Sequence, residues 1–161
     1  TFKNFSANQE FQFKWPNDIY HNGKKLGGIL CEKEGNMLII GVGLNLNQVA
    51  FPLDIQEKAT SFYLVTQKKL LIPDFAHAFF KNIILSYQEL EENPELFLKN
   101  HITPHLAWVG KTVRVDFENI KESLEGVVKG IDSSGFLILK TQKGIEKLST
   151  GDLKLWLQPS I

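Results

Sequence analysis

The sequence predicts an α+β fold, in which a mixed or antiparallel sheet backed by helices is followed by a small β-barrel. Residues 10–47 form short alternating runs separated by turn dipeptides, a pattern typical of hairpins. Between residues 60 and 102 the apolar residues recur at helical spacing, and beyond Trp108 short strands return. We therefore expect two domains, at residues 1–106 and 107–161.

The composition is that of an ordinary globular protein. The 161 residues carry a net charge of zero, with 43% hydrophobic and 22% charged residues, which excludes a disordered, collagenous or coiled-coil chain. No apolar run approaches the roughly 18 residues of a spanning helix, and no leader opens the chain, so we expect a cytoplasmic protein without a membrane partner. The single cysteine, Cys31, suits a reducing compartment, and we expect it to be buried in a strand. The balanced charge argues against nucleic-acid binding.

Turn residues divide the first third of the chain into strands. Pro16 lacks a backbone donor and marks a turn at residues 15–18. Asn22 and Gly23 form the dipeptide best suited to a type I′ turn, and Gly35 and Asn36 mark a second turn. We predict strands at residues 10–14, 19–21, 24–34 and 37–47.

The last of these strands has two different faces. One face is apolar and is expected in the core: Leu38, Ile40, Val42, Leu44 and Leu46. On the other face, glycines and asparagines replace large side chains at four of the five positions: Ile39, Gly41, Gly43, Asn45 and Asn47. This second face either leaves room for a ligand or marks bulges and loosening at the strand end.

Helices follow this strand. Thr60 or Ser61 caps a short helix, and Pro73 opens a longer one. The longer helix has an apolar stripe from Phe75 to Leu90, which we expect to pack against the sheet. Pro94 starts a further short helix, which continues to about residue 102.

The C-terminal part predicts a small SH3-like barrel. Strands are expected at residues 112–117, 122–132, 136–141, 144–148 and 153–157, with turns at residues 133–135 and 151–152.

Three segments carry the chemistry, and together they resemble the biotin protein ligases. They read KWPND at residues 14–18, KKLGGIL at residues 24–30 and GVGLNLN at residues 41–47. Their order and spacing, the segment at residues 59–61 and the terminal barrel are all similar to that family. The resemblance covers nearly the whole chain and implies the class II synthetase-like fold shared by biotin and lipoate ligases.

The resemblance implies a two-step reaction. Biotin and ATP, which is supplied with Mg²⁺, give biotinyl-AMP and pyrophosphate. A lysine of a biotin carboxyl carrier domain, from acetyl-CoA carboxylase or a related carboxylase, then takes the biotin. The family also implies a homodimer as one possible assembly.

Lys25 matches the family lysine that contacts the biotin carboxylate and the α-phosphate. Strand alternation places Lys25 and Gly27 on one face and Gly28 on the other. We expect the cation to lie beside a floor without side-chain bulk, over which a flat ligand could lie. The alternative is a solvated hairpin lysine.

The turn at residues 14–18 offers further candidates. Lys14 complements phosphate charge or protects a strand edge. Trp15 belongs to the nucleotide-binding segment, although we interpret it as a structural plug rather than a stacking platform. By resemblance, Asn17 lies near the nucleotide. Asp18 lies near the reacting groups, where it orients or deprotonates the incoming amine or helps to hold Mg²⁺.

The third segment and the helix cap complete the candidate site. Gly43 permits close approach, and Asn45 has both a donor and an acceptor with which to read adenine. An amide that caps a strand end is the alternative for Asn45. Thr60 and Ser61 are expected to serve both as helix cap and as part of the nucleotide pocket's wall.

The family's glycine- and arginine-rich loop, of the form GRGRxGRxW, is absent from this sequence. The only arginine is Arg114, in the predicted barrel, and the chain begins with Thr1. We therefore expect a fragment with little or no ligase activity by itself. A lipoate or octanoate ligase and a non-catalytic module that docks the carrier are the alternative functions.

Overall fold

The structure is a computed structural model that describes residues 1–5, 9–117 and 120–155. The chain folds as two compact units. The first contains Thr1–Gln12 and Asn17–Glu92, and the second contains Phe13–Pro16 and the described residues from Asn93 onward. The domain boundary after residue 106 stays a prediction. Among the described helices, none has both the length and the apolar character needed to cross a membrane.

A four-stranded sheet, in the order β1-β2-β3-β4, forms the first layer. Its strands are β1 (Gln12–Lys14), β2 (Asp18–His21), β3 (Lys24–Glu34) and β4 (Met37–Leu44). Pairing is antiparallel from β2 to β4. The predicted hairpin turn is confirmed, since Asn22 and Gly23 have φ angles of 48° and 78°, as a type I′ turn requires.

A β-bulge interrupts the pairing of β2 with β3. Ile19 pairs with Gly27, but Tyr20 pairs with Lys25, so Leu26 is the additional residue. A bulge changes the side-chain alternation of its strand. Leu26 is completely buried at this point.

Helices and phenylalanines form the core of the first unit. The helices are α1 (Phe2–Phe5), α2 (Phe62–Thr66) and α3 (Ile72–Glu92). Phe62, Leu70 and Phe75 are buried, and Phe2, Phe5 and Phe11 pack around them. The Phe2 ring lies 5.7 Å from that of Phe62 and 5.3 Å from that of Phe75, so this cluster joins α1, α2 and α3.

Three expectations about burial are wrong. Of the apolar stripe on α3, Phe75 is buried, but Phe80 and Ile84 are 64% and 60% exposed. Leu38 and Ile40 of β4 are 59% and 49% exposed, although their face was expected in the core. Cys31 is exposed. Residues 30–41, the outer half of the β3–β4 hairpin, are all exposed, so neither of its faces is covered by described residues.

The second unit contains a five-stranded antiparallel sheet in the order β8-β7-β6-β5-β9. Its strands are β5 (Thr112–Phe117), β6 (Ile120–Ile131), β7 (Leu137–Thr141), β8 (Gly144–Leu148) and β9 (Asp152–Leu155). The strand predicted at residues 153–157 ends among residues that lie outside the described part of the chain. Helix α4 (Pro94–Phe97), a π-helical turn (Leu98–Ile102) and a 3-10 turn (Thr103–His105) precede the barrel.

Candidate active site

Asp18 and Lys25 meet on one face of the first sheet. The Lys25 ammonium lies 2.5 Å from Asp18 Oδ1, and the two side chains are 47% and 14% exposed. The ammonium of this ion pair is therefore accessible to a ligand from solvent, while the carboxylate is held closer to the sheet.

The floor under this pair is Gly28, not Gly27. A Cβ added at Gly28 would lie 3.3 Å from Asp18 Oδ1 and 3.4 Å from Lys25 Nζ. The expectation that Lys25 shares a face with Gly27 is wrong, because the extra residue Leu26 reverses the alternation. The expected combination of a cation with a floor that lacks bulk is nevertheless present.

The surface without side-chain bulk continues from β3 onto β4. Gly28 is paired with Gly43, and Leu30 with Gly41, and directly opposed residues share a face of the sheet. A Cβ at Gly43 would meet no atom within 4 Å. We call Gly28, Gly41 and Gly43 the glycine floor.

Gly27 has a different role, because it permits close approach of two strands. A Cβ at this position would overlap the carbonyl oxygen of Gly43 and would lie 2.7 Å from a methyl carbon of Leu44. Gly27 is buried, so it holds β3 against β4 beneath the site instead of lining the face that carries Lys25.

The backbone of Lys25 is fixed by the segment that precedes α2. Lys25 N donates to the carbonyl of Lys58, and Thr60 N donates to the carbonyl of Lys25, both at 2.8 Å. Asn45 joins the same segment, since its side-chain amide donates to the Thr60 carbonyl at 3.1 Å. These contacts place Lys25, Asn45 and Thr60 together.

Ser61 is a completely buried capping residue. Its hydroxyl accepts from Leu64 N at 3.1 Å and donates to the Gln48 carbonyl at 2.6 Å. The predicted cap is confirmed. A direct contact of Ser61 with nucleotide stays a prediction, as does that of Thr60, which is 7% exposed.

Asn17 is exposed and is the last residue of the turn that precedes β2. Its carbonyl accepts from Ile29 N at 2.8 Å, which fixes the backbone just before Asp18.

Lys14 and Trp15 belong to the second unit. The Lys14 ammonium lies 2.8 Å from Asp152 Oδ1 and 5.8 Å from the centre of the Trp108 ring. Trp15 is 7% exposed within the barrel core, and its indole donates to the Gly135 carbonyl at 3.0 Å. This burial agrees with the interpretation of Trp15 as a structural plug. Contacts of Lys14 and Trp15 with nucleotide stay predictions.

Sequence reasoning did not identify the partners of Lys14 and Trp15. The sequence pattern indicates only that Asp152 and Gly135 lie in turns. The Gly135 turn is organised by Asp132, whose Oδ1 accepts from Ser134 N at 2.9 Å and Phe136 N at 3.0 Å. The Lys147 ammonium and these two amides hold the pKa of the Asp132 carboxyl below its usual value.

Comparison with protein families gives two matches. Residues 4–46 match the biotin/lipoate A/B protein ligase family, and residues 109–156 match the biotin protein ligase C-terminal domain. The first match contains Asp18, Lys25 and the glycine floor, and the second contains nearly the whole barrel.

Curated relatives agree with these matches. The bifunctional ligase/repressor BirA of Bacillus spizizenii is 32% identical over 164 residues, which cover 93% of this chain and 48% of the relative. The biotin--[acetyl-CoA-carboxylase] ligase of Mycobacterium tuberculosis is 30% identical, over 89% of this chain and 53% of the relative. The chain thus spans about half the length of these relatives.

Solved structures extend the likeness to the fold. The match to the biotin protein ligase of Aquifex aeolicus covers 96% of this chain and 69% of the Aquifex chain, with a TM-score of 0.88 and 27% identity. The structure of that protein in complex with biotin and ATP matches with a TM-score of 0.83. The predicted fold class is therefore confirmed, including the SH3-like C-terminal barrel. On these grounds the chain is similar over most of its length to the biotin protein ligases, and residues 4–46 and 109–156 match the corresponding family models.

Proposed function

We propose that this chain supplies the lysine side of the active site in an ATP-dependent biotin ligase. The enzyme forms biotinyl-AMP and then transfers biotin to a lysine of a carrier domain. The observation that carries the proposal is the Asp18–Lys25 pair above the glycine floor.

Adenylation must bring together two anions, the carboxylate of biotin and the α-phosphate of ATP. At about 4 Å two unit charges repel by about 1 kcal/mol in bulk water and by about 4 kcal/mol at an effective dielectric near 20. A cation on a rigid strand offsets this repulsion where the anions meet. Lys25 meets this need, because its backbone is fixed on both sides and its ammonium is accessible.

The glycine floor supports a flat ligand that lies along the sheet. Because a Cβ at Gly43 would project into open space, the missing side chain leaves room beside the ion pair. Asn45 lies near the end of the same strand pair and offers a carbonyl acceptor in addition to the amide that holds Thr60. We place the nucleotide between Asn45 and Lys25, with the carboxylate of biotin at Lys25.

Asp18 has two roles in this mechanism. In the structure it pairs with Lys25, so it orients the ammonium before the anions arrive. Once Lys25 moves to the ligand, the Asp18 carboxylate becomes available to accept a proton from the incoming lysine amine. Asp18→Asn is therefore expected to slow both adenylation and transfer, and normal adenylation in this variant would refute the orienting role.

We expect magnesium to enter with ATP, and Asp18 is the site carboxylate proposed to help hold it. Among residues 1–5, 9–117 and 120–155, no three His, Cys, Asp or Glu side chains are placed to hold a metal ion. Asp18, the carboxylate at the site, already pairs with Lys25. Mg²⁺ is commonly held by substrate phosphates with only one or two carboxylates, so we treat it as part of the MgATP substrate.

The carrier domain of a biotin-dependent carboxylase is the proposed protein partner. The Mycobacterium tuberculosis relative is named a biotin--[acetyl-CoA-carboxylase] ligase, which supports this choice. A homodimer and a cytoplasmic location remain predictions. Lipoate is the alternative acid, because the family matched at residues 4–46 includes lipoate ligases. The match to the biotin ligase C-terminal domain favours biotin.

The reaction is tested by pyrophosphate exchange into ATP in the presence of biotin, lipoate or octanoate. Because this chain alone is expected to have little or no activity, exchange is measured in a complete enzyme that contains it, and we expect only biotin to support exchange there. Lys25→Met should abolish it, whereas Lys33→Met, a matched change at an exposed position of the same strand, should leave it unchanged. Exchange with lipoate alone, or normal exchange by Lys25→Met, would refute the proposal.

Calorimetry separates a catalytic chain from a docking module. A chain that carries the lysine side of the site should bind ATP or biotinyl-AMP with measurable heat, even where exchange is too slow to detect. A module that only docks the carrier should give no heat with either ligand, and that result would favour the non-catalytic alternative.

A further inference from the structure

Tyr20 lies on the same face of the first sheet as Asp18 and Lys25. It is paired with Lys25 of β3, while Asp18 is paired with Gly28. Directly opposed residues of antiparallel strands share a face of the sheet, and Asp18 and Tyr20, which are two residues apart on β2, share a face as well. The face that carries the ion pair therefore also carries a half-buried tyrosine.

The other residues of β2 agree with this alternation. The ring of His21 lies 5.6 Å from the ring of Phe11, which packs against the buried core of the first unit. Ile19 is paired with Gly27, which is buried. The extra residue of the bulge, Leu26, belongs to β3, so β2 itself alternates regularly and Tyr20 faces away from the core.

The side chain of Lys25 leans along the sheet. Its end lies over Gly28, because a Cβ added there would be 3.5 Å from Lys25 Cε and 3.4 Å from Nζ. Its ammonium pairs with Asp18, which lies two residues before Tyr20 on β2. The lysine therefore starts opposite Tyr20 and ends beside the Asp18–Gly28 pair.

The ring of Tyr20 accounts for this direction. The Cβ atoms of directly opposed residues are about 4.5–5.5 Å apart, so an aromatic ring at this position is within reach of the methylene stem of Lys25. Lysine methylenes pack along apolar surface while the ammonium stays in water. The ion pair alone restrains the lysine only weakly, because Lys25 is 47% exposed and exposed ion pairs contribute little.

We propose that Tyr20 is a positioning residue, whose ring restrains the stem of Lys25 and thereby directs the ammonium over the glycine floor to Asp18. The ring, and not the hydroxyl, supplies the restraint. The inference rests on the proposed function for its catalytic meaning, but the restraint is a property of the first unit by itself. A displacement of about 1 Å in a catalytic group costs up to about 100-fold in rate, so a lysine that lacks this restraint should receive its ligand poorly.

The test compares Tyr20→Ala, which removes the ring, with Tyr20→Phe, which removes only the hydroxyl. Tyr87→Ala is the matched control, because Tyr87 is an exposed tyrosine on α3 of the same unit. The nuclear Overhauser effect (NOE) between Lys25 Hε and Gly28 Hα reports whether the end of the lysine lies over Gly28. Calorimetry on the same samples gives the affinity for biotinyl-AMP.

We expect Tyr20→Ala to lose most of this NOE and to bind biotinyl-AMP at least about tenfold more weakly. Tyr20→Phe and Tyr87→Ala should change neither quantity. An unchanged NOE in a folded Tyr20→Ala chain would overturn the inference, and so would a Tyr20→Phe chain that behaves like Tyr20→Ala. If Tyr20→Ala does not fold, Tyr20→Val, which suits a strand but lacks the ring, must lose the same NOE or the inference fails.

The two proposals fail separately. Absence of biotinyl-AMP binding by the unmodified chain would refute the proposed function, while the NOE would still report whether Tyr20 positions Lys25.

Discussion

Three glycines that lie within two neighbouring strands are expected to respond differently to added side chains. A Cβ at Gly43 would enter open space, whereas a Cβ at Gly27 would overlap the backbone of β4. Neither glycine has a positive φ angle. The contrast between them therefore depends on space, not on backbone strain.

Gly43→Val should keep the fold and block the ligand. Replacing a strand glycine by a β-branched residue is neutral or stabilising by up to about 1 kcal/mol, and no atom obstructs the new side chain. Its methyl groups would occupy the glycine floor, so we expect the affinity for ATP and biotinyl-AMP to fall at least tenfold, or by about 1.4 kcal/mol.

Gly27→Ala should instead damage the fold. The added methyl overlaps the Gly43 carbonyl and Leu44, and overpacking of this kind costs about 1–3 kcal/mol. For a chain of this length, each kcal/mol lowers Tm by about 2–4 °C. Gly28→Ala is intermediate, because its methyl would press on the ends of the Asp18 and Lys25 side chains, which can move.

Thermal unfolding and calorimetry on the same samples test these expectations. Glu32→Val is the control, since it adds a valine to the same hairpin, opposite Ile39. The reasoning is refuted if Gly43→Val binds ATP and biotinyl-AMP as tightly as the unmodified chain, or if Gly27→Ala unfolds at the same temperature as the unmodified chain.

Three further predictions concern stability and exposure. Ser61→Ala removes the cap of α2 and leaves the Gln48 carbonyl without its donor. We expect a loss of about 1–2 kcal/mol in urea unfolding, and an unchanged midpoint would contradict the capping role. Asp132→Asn keeps the acceptor of the Gly135 turn but loses the charge that pairs with Lys147. Because the pKa of Asp132 is lowered in the folded state, this stabilisation is present above the ordinary value of 3.8 and is lost as pH falls through the folded value. The difference in Tm between Asp132→Asn and the unmodified chain should be largest at pH 7 and should shrink below about pH 4. A difference that stays constant with pH would exclude the ionic contribution. Cys31 should react with a thiol reagent in the native chain as fast as in urea, whereas strong native protection would contradict its exposed position.

Local patterns predicted the elements of the fold well. The Asn22-Gly23 turn, the Ser61 cap and the strands of the barrel all depend on residues that are neighbours in sequence, and each was found.

Side-chain placement was harder to predict, for physical reasons. A strict two-residue alternation put Lys25 with Gly27, but the bulge at Leu26 reversed it, and nothing in the local pattern distinguishes Leu26 from its neighbours. Periodicity likewise identifies an apolar face without saying what covers it, so Phe80 and Ile40 were wrongly expected in the core. The partner of Lys14 lies 138 positions away in sequence, beyond the range of any local pattern.

The central claim is that the Lys25 ammonium receives the carboxylate and phosphate of the ligand on the glycine floor. Its most direct test is the affinity for biotinyl-AMP, measured by calorimetry for the unmodified chain, Lys25→Met and Lys33→Met. We predict that Lys25→Met loses at least tenfold in affinity with Tm within a few degrees, while Lys33→Met binds normally. Equal affinity in Lys25→Met and the unmodified chain would contradict the claim.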